Sequence, residues 1–427
     1  MKNELIKDYL LEWIGKLIEP SVERDLHVSH IDSRATVIVG PRRAGKTYFL
    51  LQIARKLKRE ETLYLNFEDS RLRTIYFNEI RDLIRQYIEL TGKNPKTILL
   101  DEIQNVNEWE IAVRELLDQN RYSIFITGSS SKLLSKEVAT QLRGRSLTYL
   151  MLPFSFLEYL KVKQGSININ VTMDMSAKIM NMLNEYLEWG GFPEIVIYNK
   201  EKERILKEYY DLILFKDIIE RNSMKNISLA RFILEQLLQN FSKEITVNSI
   251  IKHADGIKLS KDTTYDYVDK VLDSAGVFFL NKISQKPGVR ESWPKKSYVC
   301  DTGLTKAVRF SSDIGKLMEN CVFLEIVRQV NISPFLKIFY WKDTAGKEVD
   351  FVLKESTEIK ALIQVTYASS EDEIDKREIE SIILGANTLK CKKLIVITWN
   401  YRDSINIQGY RIKYIPLWEW LIAKDKY

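Results

Sequence analysis

Cysteine, histidine and long apolar runs are all scarce in this 427-residue sequence. The three cysteines are Cys300, Cys321 and Cys391, and their odd number and wide spacing exclude a disulfide framework and favour a reducing compartment. The three histidines form no metal-ligand pattern with these cysteines, which excludes a structural zinc site.

No stretch approaches the ~18 consecutive apolar residues of a membrane-spanning helix. Charged residues interrupt the N-terminal stretch Met1–Pro20, which therefore lacks the apolar centre of a targeting signal. Its apolar residues recur on one helical face and predict an amphipathic helix packed on a core: Ile6, Leu10, Trp13, Ile14 and Leu17. The sequence thus predicts a cytoplasmic protein without membrane contact.

Neither charge sign dominates. The 64 lysines and arginines oppose 58 aspartates and glutamates, so the net charge of +6 neither demands nor excludes a nucleic-acid partner. With 45% hydrophobic and 29% charged residues the composition is that of a folded globular protein and excludes a disordered chain. At about 100 to 200 residues per domain, the length predicts two to four domains.

Short apolar strands alternate with helical stretches from residue 31 to residue 153, where Pro153 ends the pattern. This alternation predicts an α/β fold with a parallel sheet flanked by helices, preceded by the helix in residues 1–30. The predicted strands are Ala35–Val39, Thr62–Phe67, Thr97–Leu100, Ser123–Thr127 and Leu147–Leu152.

Three further domains are predicted after Pro153. Residues 154–226 read as a helical subdomain broken at Gly190–Pro193, and residues 301–427 as a separate α/β unit. Between them, residues 227–300 contain three helical stretches and then a strand, the order of a winged helix. These elements are Ala230–Phe241, Val247–His253, Lys261–Ala275 and Val277–Leu280, with a wing at Gln285–Lys296.

The strongest motif is a glycine-rich loop that follows the first predicted strand and opens a helix. Residues 40–47 fit the phosphate-binding pattern G-x-x-x-x-G-K-[ST], whose backbone N–H groups and helix N-terminus surround phosphates. Lys46 is expected to bridge the β- and γ-phosphates of ATP and Thr47 to ligate Mg²⁺. The predicted nucleotide contacts are Gly40, Pro41, Arg42, Arg43, Ala44, Gly45, Lys46, Thr47 and Tyr48.

A pair of acids ends the strand Thr97–Leu100. Asp101 is expected to hold Mg²⁺ beside the phosphate loop, and Glu102 to act as the general base toward the attacking water. Taken alone, such a pair would more often be a solvated strand end. Its place about fifty residues after a phosphate loop favours the catalytic interpretation.

Hydroxyl and arginine side chains follow the fourth strand. Thr127 or Ser129 is a candidate sensor of the γ-phosphate, while the serines of this motif also suit a helix N-cap. Arg145, just before the fifth strand, is a candidate arginine finger that acts on a neighbouring subunit, which requires a homo-oligomer. The plainer interpretation of this motif is a helix C-terminus that carries cations, for which Arg143 suffices.

The sequence resembles the AAA-type P-loop ATPases of archaea and bacteria that carry a C-terminal domain of unknown function with a nuclease-like fold. The motifs Gly40–Thr47, Leu100–Gln104, Ile126–Ser130 and Leu142–Arg145 carry the resemblance in the first part of the chain. Later motifs extend it to nearly the whole length: Leu152–Glu158, Gly190–Glu194, Lys216–Arg221, Cys300–Leu304, Glu319–Phe323 and Glu348–Val352. The resemblance implies a P-loop NTPase sheet, a helical lid, a winged helix and a degenerate restriction-endonuclease-like α/β domain.

An active nuclease of that type would need acids on adjacent strands and a lysine that positions water. Glu319, Glu348 and Asp350 supply acids, but Gln364 and Thr366 stand where an acid and a lysine are expected. The sequence therefore predicts a nuclease-shaped binding or scaffold domain rather than an active nuclease.

DNA is a candidate partner of the winged helix. Its third helical stretch carries four aspartates that would repel phosphate, so the wing cations are the better candidates for the contact. These cations are Lys286, Arg290, Lys295 and Lys296.

Three functions fit this pattern. The leading prediction is an ATPase that couples hydrolysis of Mg-ATP to movement of the winged-helix and C-terminal domains. The alternative is a nucleotide-gated switch or scaffold that binds a partner with little turnover. A small-molecule kinase shares the phosphate loop, but the Asp101–Glu102 pair and the large appended domains argue against it.

Overall fold

The computed structural model divides the chain into two compact units, Met1–Met151 and Leu152–Tyr427. It describes residues 2–128, 140–165, 173–254, 259–284, 286, 288, 294–308, 313–423 and 426. Among these residues no helix combines the length and the apolar character that crossing a bilayer requires. The three cysteines are buried and free.

The first unit is a five-stranded parallel sheet with helices. Its strands run in the order β2-β3-β4-β1-β5 and are β1 (Ala35–Val39), β2 (Thr62–Asn66), β3 (Thr97–Asp101), β4 (Ser123–Gly128) and β5 (Ser146–Leu150). The helices described here are α1 (Lys2–Gly15), α2 (Lys46–Arg55), α3 (Ile80–Thr91) and α4 (Trp109–Asp118). The predicted α/β class and the P-loop NTPase sheet are confirmed, with strand ends that differ by one or two residues.

Burial explains why these strands read as continuous apolar runs. Every residue of β1 is buried, as expected for a parallel strand covered on both faces. Helix α1 buries Ile6, Leu10 and Trp13, and the Trp13 indole donates a hydrogen bond to the Thr62 carbonyl over 2.8 Å. The predicted apolar face was wrong in including Leu17, which lies beyond the end of α1 and is 80% exposed.

Helices open the second unit: α5 (Phe156–Gln164), α6 (Met173–Trp189), α7 (Pro193–Tyr198) and α8 (Lys202–Leu212), which continues as a π-helical segment, Ile213–Glu220. The Gly190–Gly191 turn packs against the Asp301 side chain, which accepts a 2.6 Å hydrogen bond from the Gly191 N–H. A Cβ atom on Gly190 would lie 1.7 Å from an Asp301 carboxylate oxygen. Packing therefore accounts for this glycine pair.

The middle of the second unit consists of α9 (Ile227–Gln239), β6 (Lys243–Ile245), α10 (Val247–Lys252), α11 (Lys261–Leu272), β7 (Val277–Leu280) and β8 (Lys295–Val299). The three strands form an antiparallel sheet in the order β6-β8-β7. The prediction that Lys296 is a wing cation was wrong. This residue belongs to β8 and is only 2% exposed, because a ring of acids surrounds its ammonium group.

The last part of the second unit is a six-stranded mixed sheet in the order β13-β14-β12-β11-β10-β9. Its elements are α12 (Ile314–Ile332), β9 (Leu336–Lys342), β10 (Glu348–Glu355), β11 (Glu358–Val365), α13 (Lys376–Leu389), β12 (Leu394–Thr398), β13 (Asp403–Ile407), β14 (Tyr410–Pro416) and α14 (Leu417–Ile422). The sequence prediction missed β13 and β14. The alternation Ser404-Ile405-Asn406-Ile407 before the Gln408–Gly409 turn is the hairpin signal that would have identified them.

Candidate nucleotide site

The phosphate loop connects the carboxyl end of β1 to the first turn of α2. Gly40 has φ +154°, and a Cβ atom there would lie 2.0 Å from the Met151 carbonyl oxygen, so no side chain fits. Gly45, with φ +96°, is the N-cap of α2. The two glycines thus let the backbone curl tightly and aim the helix N-terminus into the loop.

The Lys46 side chain is folded back into this loop. Its ammonium donates hydrogen bonds to the carbonyl oxygens of Gly40 (3.1 Å) and Pro41 (3.0 Å) and lies 3.9 Å from a Glu102 carboxylate oxygen. The side chain is only 4% exposed. Its charge is therefore held where a phosphate group would compete with two carbonyls for it.

Asp101 lies at the carboxyl end of β3, fully buried among hydroxyl groups. It accepts hydrogen bonds from Thr127, from Tyr64 over 2.8 Å and from Thr47. Burial raises the pKa of Asp101, although these hydrogen bonds oppose the shift. A bound divalent cation would offset the cost of burying the charged carboxylate, so Asp101 is suited to metal binding.

Glu102 follows directly, with a positive φ of 52° that turns the chain out of β3. Its N–H donates a 3.0 Å hydrogen bond to the Thr127 hydroxyl. One carboxylate oxygen accepts from the Gln104 amide, and the other faces Lys46. In this conformation Gln104 and Lys46 hold the candidate general base.

Strand order explains how residues so distant in sequence meet. Strand β4 lies between β3 and β1, which places Thr127 between the acids and the phosphate loop. The Thr127 hydroxyl proton is committed to Asp101, so donating to a phosphate would require breaking that bond. Ser129, the other candidate sensor, lies outside the described residues.

The remaining loop residues differ in exposure. Pro41 and Ala44 are buried, Arg43 is exposed with φ 64°, and Tyr48 is 64% exposed. The Arg42 guanidinium lies 3.7 Å from the Glu68 carboxylate, which follows β2 at the same edge of the sheet.

Sequence reasoning missed four residues near the loop. Tyr64 and Gln104 contact the two acids, Glu68 pairs with Arg42, and Arg24 donates a 2.6 Å hydrogen bond to the Ala44 carbonyl. Tyr64 and Glu68 could have been found from the end of β2, which lies beside β3. Arg24 belongs to an irregular stretch whose sequence carries no signal for this contact.

These residues fit a magnesium–nucleotide complex. The evidence is the glycine cradle that a Cβ atom would fill, together with the hard oxygen donors of Thr47 and Asp101, the ligands Mg²⁺ prefers. Lys46 supplies the cation that accompanies them in P-loop proteins.

Arg145 lies far from the loop of its own chain. Its carbonyl accepts a hydrogen bond from the Ala35 N–H at the opposite end of β1, about 16 Å from Gly40 at the usual rise per strand residue. Its guanidinium forms a 2.5 Å ion pair with Asp118. The Arg145 backbone therefore lies at the opposite end of β1 from the phosphate loop of its own chain.

The C-terminal acids form a second cluster around a lysine. The Lys296 ammonium lies 3.0 Å from Glu319, 2.6 Å from Glu348 and 2.9 Å from Asp350. Burial alone would lower the pKa of Lys296, but the carboxylates outweigh it and raise the pKa well above its usual value. Burial raises the pKa of Glu319 to about 7.

The two neutral residues of the predicted nuclease pattern lie beside this cluster. The Gln364 side chain accepts a 3.4 Å hydrogen bond from the Asp350 N–H across β10 and β11, and Thr366 is buried. Within the described part of the chain, no group of three or more histidine, cysteine, aspartate or glutamate residues has the geometry to hold a metal ion. In this arrangement the acids neutralise Lys296.

Three family models match the chain in succession. Residues 32–160 match an AAA domain. Residues 180–314 and 314–420 match two domains of unknown function, DUF8612 and DUF4143. The AAA match covers the phosphate loop, both acids, Thr127 and Arg145.

Solved structures give only a distant likeness. Cdc6p from Pyrobaculum aerophilum covers 59% of this chain and 82% of its own, with 13% identity and a TM-score of 0.26. The Aeropyrum pernix Orc1 protein, solved in complex with DNA, covers 77% and 94%, with 10% identity and a TM-score of 0.27. The assignment of the first unit therefore rests on its own sheet and on the AAA match.

Full-length relatives are much more similar. The uncharacterized protein MJ1544 of Methanocaldococcus jannaschii is 37% identical over 94% of this chain and 91% of its own length. An uncharacterized protein of Haemophilus influenzae is 28% identical over 90% and 93%. The chain belongs to the family of MJ1544, and its own AAA domain makes it a nucleotide-binding, ATPase-like protein.

Proposed function

We propose that this protein binds Mg-ATP and hydrolyses it. The observation that carries the proposal is the convergence of Lys46, Thr47, Asp101 and Glu102 at one edge of a parallel sheet, beside a loop whose first glycine tolerates no side chain. Each of these side chains has the chemistry that phosphoryl transfer to water requires.

The steps follow from the positions of these groups. Lys46 exchanges the carbonyls of Gly40 and Pro41 for the β- and γ-phosphate oxygens. Thr47 and Asp101 would hold Mg²⁺. The metal, when bound, neutralises part of the phosphate charge. Glu102 leaves Gln104, orients the attacking water and accepts its proton. The water oxygen bonds to the γ-phosphorus as the bond to the β,γ-bridging oxygen breaks, which releases phosphate and ADP. Thr127 fixes both acids, and Ser129 remains the candidate γ-phosphate sensor.

The backbone of the loop supplies the remaining phosphate contacts. Arg42 and Arg43 offer further cations at its rim, and the exposed Tyr48 lies on the first turn of α2. The residues proposed to line the nucleotide thus run from Gly40 through Tyr48.

Two variants test hydrolysis directly. Glu102→Gln should retain Mg-ATP binding and lose turnover by at least about a hundredfold, the usual scale of general-base catalysis. Lys46→Ala should lose binding. Glu89→Gln, which changes an exposed carboxylate on α3, is the matched control and should hydrolyse ATP normally. Normal turnover by Glu102→Gln would refute the assignment of the base.

A nucleotide-gated switch with little turnover is the second candidate. The contact between Gln104 and Glu102 favours it, because a base held by an amide is not free to orient water. Gln104→Ala should then raise ATP turnover several-fold without changing ATP affinity. Unchanged turnover would leave no gating role for Gln104.

The second unit is proposed to contain the domains that move when ATP is hydrolysed. Elements α9 to β8 have the order of a winged helix, and the six-stranded sheet that follows has a buried acidic cluster on β10 as a degenerate nuclease fold would. DNA contact through the wing depends on Lys286, Arg290 and Lys295, because Lys296 is surrounded by acids. Arg290 lies outside the described residues. Turnover measured with and without DNA tests whether this partner stimulates hydrolysis.

Arg145 is proposed to act on the nucleotide of a neighbouring copy of the chain. Its position at the far end of β1 supports this, since a finger from another subunit must lie away from its own loop. The proposal requires a homo-oligomer in the active state.

A further inference from the structure

A basic groove lies at one edge of the six-stranded sheet. It encloses about 700 Å³, in the size range of ligand clefts. Its floor is formed by Leu394, Ile395 and Tyr414. Its walls carry the charged and polar side chains Lys392, Lys393, Arg402, Asp403, Ser404, Arg411 and Lys413.

Three neighbouring segments place these cations together. Lys392 and Lys393 immediately precede β12, while Arg411 and Lys413 lie on β14, which pairs with β12 in parallel. Because side chains alternate along a strand, Arg411 and Lys413 share one face and are separated by about 6.8 Å of strand. Ser404 on β13 lies opposite Lys413.

Four of the five groove cations, which line one cleft together, form no ion pair with a carboxylate of the described chain. None of the carboxylates that the structure describes lies within 4 Å of the side-chain nitrogens of Lys392, Lys393, Arg411 or Lys413. Several other cations of the same region pair with acids, namely Lys316, Arg328, Lys342, Lys347 and Lys360.

The groove's own polar groups do not cancel this charge. Asp403 accepts hydrogen bonds from the Tyr401 hydroxyl (2.8 Å) and the Ser404 N–H (2.7 Å) rather than pairing with a cation. Arg402 is paired with Glu419. Arg411 donates a 2.7 Å hydrogen bond to the Ser404 hydroxyl, which orients its guanidinium without neutralising it.

We infer that this groove binds the phosphate backbone of a nucleic acid. A cluster of cations without ion-pair partners contributes most to the free energy of binding when the partner presents several negative charges at regular spacing. A membrane surface fits less well, since none of the large apolar side chains exposed in the described chain falls within residues 392–416. The groove is separate from the wing proposed above, and it offers no exposed aromatic ring for base stacking, so binding should be insensitive to base sequence.

The test is the salt dependence of nucleic-acid binding by the full chain. Binding is measured from the fluorescence anisotropy of a labelled oligonucleotide. Arg411→Ala/Lys413→Ala should lower the slope of log K against log salt by about 1.4 for single strands or 1.8 for duplex, the value for two lost phosphate contacts. Affinity should fall about tenfold or more. Lys392→Ala/Lys393→Ala, in the loop before β12, should act in the same way even if the first variant folds poorly.

A matched control removes the same charge elsewhere. Lys337→Ala/Lys376→Ala changes two exposed lysines, one on β9 at the other edge of the sheet and one at the start of α13, and should bind like the unaltered protein. Equal loss in control and groove variants would overturn the inference, as would an unchanged slope in both groove variants. Equally tight binding of anionic vesicles or polyglutamate would also overturn it. Mg-ATP binding by the groove variants should be unchanged, which separates this result from the proposed ATPase function.

Discussion

The hydroxyl of Thr127 donates a hydrogen bond to the carboxylate of Asp101 and accepts one from the Glu102 N–H. One side chain on β4 therefore fixes both acids of the candidate site. Thr127→Val, which has nearly the same shape, should lower the free energy of unfolding by about 1 to 3 kcal/mol because buried polar groups lose their partner. ATP turnover should fall about tenfold or more.

Thr127→Ser is the control, since it retains the hydroxyl and should stay close to the unaltered protein in both measurements. Urea unfolding and phosphate release provide the two readouts. Unaltered turnover in Thr127→Val would mean that the hydroxyl does not position the acids.

Lys46 should be responsible for the stabilisation of the protein by nucleotide. At a Mg-ATP concentration of 100 times Kd, ligand binding should add about 2.7 kcal/mol to the stability of the first unit. Lys46→Met should lose this gain, because it removes the ammonium group that is held in the phosphate loop and is proposed to bind the β- and γ-phosphates. Lys56→Met, near the other end of α2 and exposed, should keep it; thermal unfolding with and without Mg-ATP gives the comparison.

Much of this site could be predicted from the sequence because its motifs are local. The loop Gly40–Thr47 and the pair Asp101–Glu102 are contiguous in sequence, and the apolar strands before them indicate the sheet edge where they meet. Contacts such as Tyr64 to Asp101 depend on which strands are neighbours. Strand order is set by packing of the whole unit, so these contacts required the structure.

In the second unit, too, contacts between residues distant in sequence could not be predicted. Lys296 reads as a wing cation because its neighbours in sequence are basic and flanked by proline. In the structure it is surrounded by acids from α12 and β10 that follow it by 23 to 54 residues. No local pattern reports such a long-range pairing.

Arg145 and Glu102 should complement each other between chains. Arg145→Ala should lose turnover while still binding Mg-ATP, and Glu102→Gln should do the same. Mixed together, the two variants should regain activity, since the Glu102→Gln chain supplies Arg145 to a neighbour with an intact base. A mixture without activity, or full activity in a strictly monomeric protein, would remove the proposed finger. Phosphate release across protein concentrations gives the measurement.

Lys296 should be required for the stability of the second unit. Lys296→Met leaves Glu319, Glu348 and Asp350 without their central cation and should lower the free energy of unfolding by about 3 to 5 kcal/mol, the usual cost of breaking a buried ion pair. Lys337→Met, an exposed lysine on β9, is the control and should cost less than about 0.5 kcal/mol. Denaturant unfolding distinguishes them, and a small loss for Lys296→Met would contradict the geometry of the cluster.

Asp301 should make the second unit less stable as pH rises. Burial raises the pKa of this carboxyl from 3.8 to about 7, although the Gly191 and Gly303 N–H groups favour its charged form. Below about pH 4 both the folded and unfolded states are protonated. Between about pH 4 and pH 7 only the folded state holds the proton, so the free energy of unfolding falls with rising pH, by up to ~4 kcal/mol.

Asp301→Asn should therefore flatten the decline of stability across this range. Burial also raises the pKa values of Glu319 and Glu378 to about 7. These two carboxyls should therefore still contribute to the decline in the Asp301→Asn variant. Asp313 gives a control of opposite sign: burial would raise its pKa, but hydrogen bonds from Lys316 outweigh burial and lower it. Asp313→Asn should remove stability that is present above about pH 4 and lost on acidification. The measurement is denaturant unfolding from about pH 2 to about pH 8, which covers both changes. A parallel decline of Asp301→Asn and the unaltered protein above about pH 4 would contradict the assignment of Asp301.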